Sequence, residues 1–189
     1  MTGREVEIKL RAASAAEGRR MLAALGFSVI HRRIFEANTV LDTPKLVLRG
    51  SGTLLRIREA GRQCTLTWKG PGAAGRHKDR EEIETLVSNA RALFAIFDRL
   101  GYRPAFRYEK YRTEYRKRGS RGVATLDETP IGVFIELEGP AKWIDATARK
   151  LGFTDADYIT ASYGGLYFEH CQRQGIQPCD MIFPKHRKN

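Results

Sequence analysis

Long apolar runs, cysteine and histidine are scarce in this sequence of 189 residues, and each shortage removes a class of protein. No apolar stretch approaches the roughly 20 residues a membrane helix requires, so no association with a membrane is expected. Cys64, Cys171 and Cys179 are odd in number and include no Cys-x-x-Cys pair, which argues against a disulfide framework or a zinc site. His31, His77, His170 and His186 are scattered, with no two at a metal-ligand spacing. Met1 to Lys9 enters charged residues at once, without a basic flank and apolar stretch, so no secretory signal is visible and a cytoplasmic location is expected. Hydrophobic residues at 42% and charged residues at 29% are ordinary globular usage, which excludes general disorder. Gly70-Pro71-Gly72-Ala73-Ala74-Gly75 lacks the Gly-Lys-Ser/Thr ending of a phosphate loop and reads as a hairpin loop, a candidate lid.

Acidic residues are also short in supply. Against 33 Lys and Arg there are 22 Asp and Glu, a net charge of +11, with a pI near 9.9. The partner should be anionic, either nucleic acid or a deep phosphate site, and the placement of the charges must decide.

Three Glu-apolar-Glu triplets, Glu5-Val6-Glu7, Glu82-Ile83-Glu84 and Glu136-Leu137-Glu138, lie in strand-like stretches. Each precedes a helix-like segment closed by Leu25-Gly26-Phe27, Leu100-Gly101-Tyr102 or Leu151-Gly152-Phe153, where glycine supplies the left-handed residue that ends a helix. Ser14 with Glu17 forms a capping box, Ser88 is placed to cap the next helix, Pro140 opens a third, and a further helix spans Ser162 to Gln174. These units suggest one closed sheet with helices outside, over residues 1–175, and an irregular basic tail over 176–189.

Side chains two apart in a strand share a face. The polar faces carry doublets of like charge, odd decoration for a freely solvated surface because like neighbours repel. Helices packed on the apolar faces would turn the charged faces inward. The interior would then hold the acids Glu5, Glu7, Glu82, Glu84, Asp127, Glu136 and Glu138 and the bases Lys9, Arg56, Arg58, Lys69, Lys110 and Arg112. Such a set cannot share a dry cavity unless it is paired or binds ions. Clustered carboxylates suit Mg²⁺ or Mn²⁺, clustered Arg and Lys suit phosphate oxygens, and a metal-chelated polyphosphate satisfies both.

Glu5-Val6-Glu7-Ile8-Lys9 resembles the Glu-x-Glu-x-Lys signature of the CYTH superfamily, the triphosphate tunnel metalloenzymes. The resemblance continues in order through Asp42-Thr43, Leu55-Arg56-Ile57-Arg58-Glu59, Thr67-Trp68-Lys69-Gly70-Pro71 and Arg80-Glu81-Glu82-Ile83-Glu84. It ends with Glu109-Lys110-Tyr111-Arg112, Leu126-Asp127-Glu128, the stretch from Gly132 to Glu138 and Ala161-Ser162-Tyr163. It implies an α+β fold: a closed eight-stranded antiparallel barrel, the tunnel, with helices outside. By the same resemblance Glu5, Glu7, Glu136 and Glu138 hold Mg²⁺ or Mn²⁺, with Glu82, Glu84 and Asp127 completing or orienting the metal shell. Lys9, Arg56, Arg58, Lys69, Lys110 and Arg112 grip the phosphates, and Glu5, Glu7, Lys9 and Glu138 form the catalytic group. No residue serves as covalent nucleophile; metal ions polarise phosphorus and activate an oxygen.

The family divides by that oxygen. Water makes a triphosphatase of inorganic, thiamine or nucleoside triphosphate, the leading expectation; the ribose 3′-hydroxyl of ATP makes a class IV adenylyl cyclase, releasing cyclic AMP and pyrophosphate. The layout, with Glu36-x-Asn38 before Asp42, is most similar to the group labelled class IV cyclase. A non-catalytic binder of polyphosphate or RNA ends is the reading from another class, which the carboxylates disfavour. The basic stretch Arg103 to Arg121, interleaved with Phe106, Tyr108, Tyr111 and Tyr115, suggests at most weak, nonspecific nucleic-acid binding. Monomer and homodimer both stay open.

Overall fold

Alternation of polar and apolar side chains over most of the strands builds a barrel whose packed cores lie outside it. The computed structural model describes residues 2–73 and 75–184. Eight strands, β1 Thr2–Ala12, β2 Ser28–Asp42, β3 Leu54–Ala60, β4 Gln63–Lys69, β5 Lys78–Val87, β6 Arg103–Arg116, β7 Val123–Thr129 and β8 Gly132–Glu138, close in the order β1-β5-β4-β3-β2-β6-β7-β8. Every strand pairing is antiparallel, including β8 back onto β1. The helices are α1 Ala15–Ala24, α2 Val47–Gly50, α3 Ala90–Arg99, α4 Ala141–Lys150 and α5 Tyr163–Gln174, with a 3₁₀ turn at Asp155–Asp157. This is the expected closed eight-stranded antiparallel barrel with helices outside.

Helix ends follow their local chemistry. Ser14 Oγ accepts the Glu17 N–H, while the Glu17 carboxylate accepts the N–H of Ala13, one residue before the cap. Asn89 rather than Ser88 caps α3: its side-chain oxygen accepts the Ala92 N–H three residues on, a position Ser88 misses by one. Gly26, Gly101 and Gly152 all take positive φ, at 79°, 86° and 88°. The following Phe27, Tyr102 and Phe153 N–H groups then reach back to Leu22, Phe97 and Ala148, closing each helix as the Leu-Gly-aromatic pattern predicts.

The outward faces of β1, β7 and β8 are covered by α1 and α4, burying Ile8, Leu10, Leu126, Ile135 and Leu137 against Leu22, Ile144 and Ala148. On the other side, Leu93, Phe94 and Phe97 of α3 cover Leu55, Ile57, Leu66 and Trp68 of β3 and β4. With the apolar faces turned to the helices, the charged faces line the bore. The Gly-rich connection after β4 leads into a strand and not a helix; Arg76 and His77, just beyond it, are pinned from outside by Asp145 of α4, at 2.5 and 2.7 Å.

After α5 the described residues form no regular element, yet they dock. Met181 exchanges both backbone hydrogen bonds with β6, through Arg107 and Glu109, at 2.9 Å each. Asp180 accepts the Arg107 N–H and Glu109 accepts the Phe183 N–H. The basic end at Lys185 to Lys188 lies outside the described residues.

Candidate active site

Strand register sets nearly every acid of the bore against a base. Glu5 lies opposite Arg80, Glu7 opposite Lys78, Lys9 opposite Glu136, Lys69 opposite Glu82, Glu36 opposite Lys110 and Arg112 opposite Asp127. One like-charge pair stands out, Glu7 directly opposite Glu138 on β1 and β8. Around the bore the ions form a nearly continuous chain. Lys69 holds both oxygens of Glu5 at 2.6 Å and Glu82 at 3.2 Å, while Lys9 bridges Glu7 at 3.1 Å and Glu136 at 3.3 Å. Arg58 and Lys110 share Glu36 at 3.4 and 3.5 Å. Glu84 is half-buried, at 3.9 Å from Arg56 and hydrogen-bonded by Thr67.

Asp127 sits at the bottom of this network with no exposed surface. Lys110 binds it at 2.7 Å, Arg112 grips both its oxygens at 2.7 and 2.6 Å, and the Tyr163 hydroxyl donates at 2.7 Å. Arg112 also binds Glu136. Tyr163 presents its ring to both Lys9 and Lys110, whose ammonium groups lie 5.3 and 5.0 Å from its centre. This tyrosine is the first residue of α5, so the helix is tied to the charged interior by its opening turn.

The electrostatics follow from this pairing. Burial pushes the Glu136 carboxyl up, but Arg112, Lys9 and Lys110 outweigh it and hold the group well below the usual range. Glu7 is likewise held ionised against burial by Lys9 and Lys78. Glu138 goes the other way: burial, with the charges of Glu5 and Glu7 beside it, pushes its pKa up to about 7. Burial lowers the Lys78 ammonium to about 8, Glu7 only partly restoring it.

Glu5, Glu7, Lys9, Arg56, Arg58, Lys69, Lys110, Arg112, Glu136 and Glu138 all border one cavity of about 430 Å³. Glu82, Glu84 and Asp127 stand behind these residues and contact their charged heads. Two buried polar atoms on the bore side chains, Arg56 Nε and Glu36 Oε2, have no hydrogen-bond partner among the described residues. No three acidic, histidine or cysteine side chains among the described residues already stand as a metal-ligating group. The reason is visible in the pairing, since Lys9, Lys69 and Lys78 occupy the carboxylate oxygens.

Comparison with known proteins resolves the family. The CYTH domain model matches residues 3–163. The chain belongs to the CYTH domain family. A Methanocaldococcus jannaschii protein named "Putative adenylate cyclase MJ0240" is 30% identical over 135 residues, 71% of this chain and 75% of that protein. The PH1819 protein of Pyrococcus horikoshii shares the fold at a TM-score of 0.73 and 27% identity, covering 88% of this chain and 99% of the other. A Hippeastrum protein described as a "putative adenylyl cyclase" with a dominant triphosphatase activity shares it at 0.61 and 19% identity, covering 92% and 97%. No helix among the described residues is long and apolar enough to cross a membrane.

Within this CYTH barrel several bore residues escaped the sequence reading. Lys78 and Arg80 continue the parity of Glu82 and Glu84, and Tyr108 continues that of Lys110 and Arg112, so extending the period two residues back would have found them. Glu36 and Asn38 were visible only as part of the family layout; Asn38 accepts from Arg58 at 3.0 Å. Counting these, the bore carries as many bases as acids, and the positive excess of the chain lies elsewhere.

Tyr108 offers a test by pH. Burial pushes its phenol up, but Arg56, Arg58 and Lys110 outweigh burial and lower it to about 8 from the usual 10, with Arg56 donating to it at 3.2 Å. An acid ionised more readily when folded contributes stability as pH rises through 8, complete above 10. The phenolate also neutralises Arg56, so the hold on an anion should weaken over the same window. Compared with Tyr108→Phe between pH 7 and 10.5, the wild-type protein should gain thermal stability while losing affinity for an anion in the bore. Parallel curves for the two proteins would remove Tyr108 from the electrostatics of the bore.

Proposed function

We propose that the CYTH barrel of this chain is a divalent-metal-dependent triphosphatase, binding a triphosphate in the bore and cleaving it with water. The observation that carries the reading is the cavity lining, in which cations and carboxylates alternate and the buried Arg56 Nε lacks a partner among the described residues. A phosphate oxygen supplies the acceptor that Arg56 lacks. Arg58 and Arg112 offer planar forks, while Lys9, Lys69 and Lys110 act as point charges. Entry of the substrate exchanges partners: the lysines turn from carboxylate to phosphate, and the released carboxylates are then free for a cation.

Glu5, Glu7, Glu136 and Glu138 would hold that cation, Mg²⁺ or Mn²⁺. They fit by chemistry, because Glu7 and Glu138 face each other with like charge and the raised pKa of Glu138 records the repulsion a cation removes. When bound, the metal polarises the phosphoryl group and lowers the pKa of a water. Glu82 and Glu84 orient Lys69 and Arg56 from behind. Asp127 we assign to positioning Lys110 and Arg112, since its oxygens are already taken by them and Tyr163.

Cyclisation of ATP is the second reading. It is favoured by the apolar side of the cavity, where Val40, Leu46, Leu54, Phe106 and Phe168 could receive a nucleoside, and by the name of the Methanocaldococcus relative. The activity described for the Hippeastrum protein favours hydrolysis. Incubating the protein with inorganic triphosphate, ATP and thiamine triphosphate, each with Mg²⁺ or Mn²⁺, and separating the products decides. Pyrophosphate with orthophosphate or a diphosphate supports hydrolysis, cyclic AMP supports the cyclase, and binding without turnover overturns both.

Arg58→Lys gives a sharper test of the clamp. It keeps the charge and loses the fork, so triphosphate use should fall by roughly tenfold or more, about the 1.5 to 3 kcal/mol of a charged hydrogen bond. Steady-state kinetics on Arg58→Lys and Arg58→Ala check it; unchanged kcat/KM in both removes Arg58 from the site.

A further inference from the structure

Part of the positive charge outside the bore gathers at the β6–β7 hairpin. The hairpin joining β6 to β7 turns tightly at Lys117–Ser120, held by a hydrogen bond from the Ser120 N–H to the Lys117 carbonyl. It brings Lys117, Arg118 and Arg121 to the C-terminal ends of α1 and α4. There they border, with Lys150, a second cavity of about 380 Å³ floored by Phe27 and Trp143. Its lining includes no carboxylate, and Arg118, Arg121 and Lys150 form no ion pair or side-chain hydrogen bond among the described residues. Only Lys117 is engaged, donating to the Leu25 carbonyl at 2.8 Å.

The floor is rigid. A Cβ on Gly122 would come within 2.4 Å of the six-membered ring of Trp143, and one on Gly139 within 3.3 Å, so glycine alone lets the backbone just before β7 and just after β8 back the indole this closely. Phe27 meets the same ring edge-on at 6.3 Å. An unpaired cation cluster beside a fixed aromatic platform has the two halves of a recognition site for a phosphorylated aromatic molecule. Bare phosphate would use the cations and leave the platform idle, whereas base stacking on an aromatic side chain contributes about 1 to 3 kcal/mol. A cavity of this size takes one small molecule, not a strand.

We propose that this pocket binds a nucleoside phosphate, with the base on Trp143 and the phosphate among Arg118, Arg121 and Lys150. It shares no lining residue with the tunnel, so it is a second site, independent of what the tunnel turns over. The sequence contains two tryptophans, so Trp68→Phe makes Trp143 the sole indole reporter. Titrating that variant with AMP should quench its fluorescence saturably, with Kd below about 1 mM. Inorganic phosphate should compete without quenching. Arg118→Ala/Arg121→Ala should weaken AMP binding at least tenfold, while Arg58→Ala, which impairs the tunnel, should leave it unchanged.

Equilibrium dialysis of labelled AMP against the protein with both tryptophans keeps the test valid should Trp68→Phe fail to fold. Absence of saturable binding in dialysis, binding indifferent to the double arginine variant, or binding lost with Arg58 would each overturn the proposal. So would an RNA oligonucleotide binding a hundredfold more tightly than AMP, an outcome that would make this face a strand-binding surface.

Discussion

Asp127→Ala should cost the free protein about 3 to 5 kcal/mol of stability. For a chain of this size that is a fall in melting temperature of roughly 6 to 20 °C. The carboxylate is fully buried and accepts from Lys110, Arg112 and Tyr163, so its removal leaves two buried cations leaning on Glu36 and Glu136 alone. Breaking a buried pair from one side costs far more than the pair itself contributes, because the remaining charge keeps its desolvation penalty. Asp127→Asn, which keeps the shape and an acceptor, should fall between. Tyr163→Phe removes only one hydrogen bond to an ionised acceptor and should cost about 1.5 to 3 kcal/mol. Urea unfolding followed by circular dichroism measures the series, and a loss below about 1 kcal/mol for Asp127→Ala would show that the network does not hold the barrel together.

Glu138→Gln should move stability and activity in opposite directions. The folded pKa of Glu138, about 7, lies above its ordinary 4.5, so the folded protein holds this proton more tightly than the unfolded chain does. The contribution of Glu138 to stability is then complete below pH 4.5 and is lost as pH rises through 7, where the ionised group repels Glu5 and Glu7. The glutamine removes that repulsion. In the presence of a chelator it should raise the melting temperature above pH 7 and change little below pH 4.5. Metal-dependent turnover should meanwhile fall by about 10² to 10⁴, the several kcal/mol a polarising cation supplies. Glu7→Gln should lose activity too, but with a loss of stability, since Lys9 and Lys78 both rest on Glu7. A Glu138→Gln protein with wild-type turnover and an unchanged melting curve at pH 8 would take this residue out of the metal site.

Much of this architecture is legible in the residues themselves, because strand parity is a local property. The doublets at Glu5 and Glu7, Arg56 and Arg58, and Glu136 and Glu138 announce a charged face wherever helices claim the other one. The outer half of β2 was not legible: Ser28–Phe35 is exposed on both faces, so no apolar period marks it. Pairing was equally hidden. That Glu138 faces Glu7 while Glu136 faces Lys9 depends on the register of β1 against β8, which brings together residues about 130 positions apart in the chain and is set by the whole barrel. The choice of Asn89 over Ser88 turned on a single step of helix phase that adjacent capping residues leave open.

The docking of Met181 has a consequence for how copies of this molecule meet. Along β6 the partner β7 reaches only Tyr111–Tyr115, and beyond it the backbone of Arg107 and Glu109 would be bare without the returning segment. Bare strand edges recruit other strands, and barrels escape polymerisation only while their seams are sealed. The stretch around Met181 is therefore a self-supplied stopper against aggregation. A protease cut at the exposed residues between α5 and Asp180 would open that seam without touching the charges of the bore. The damage would show first as insoluble protein.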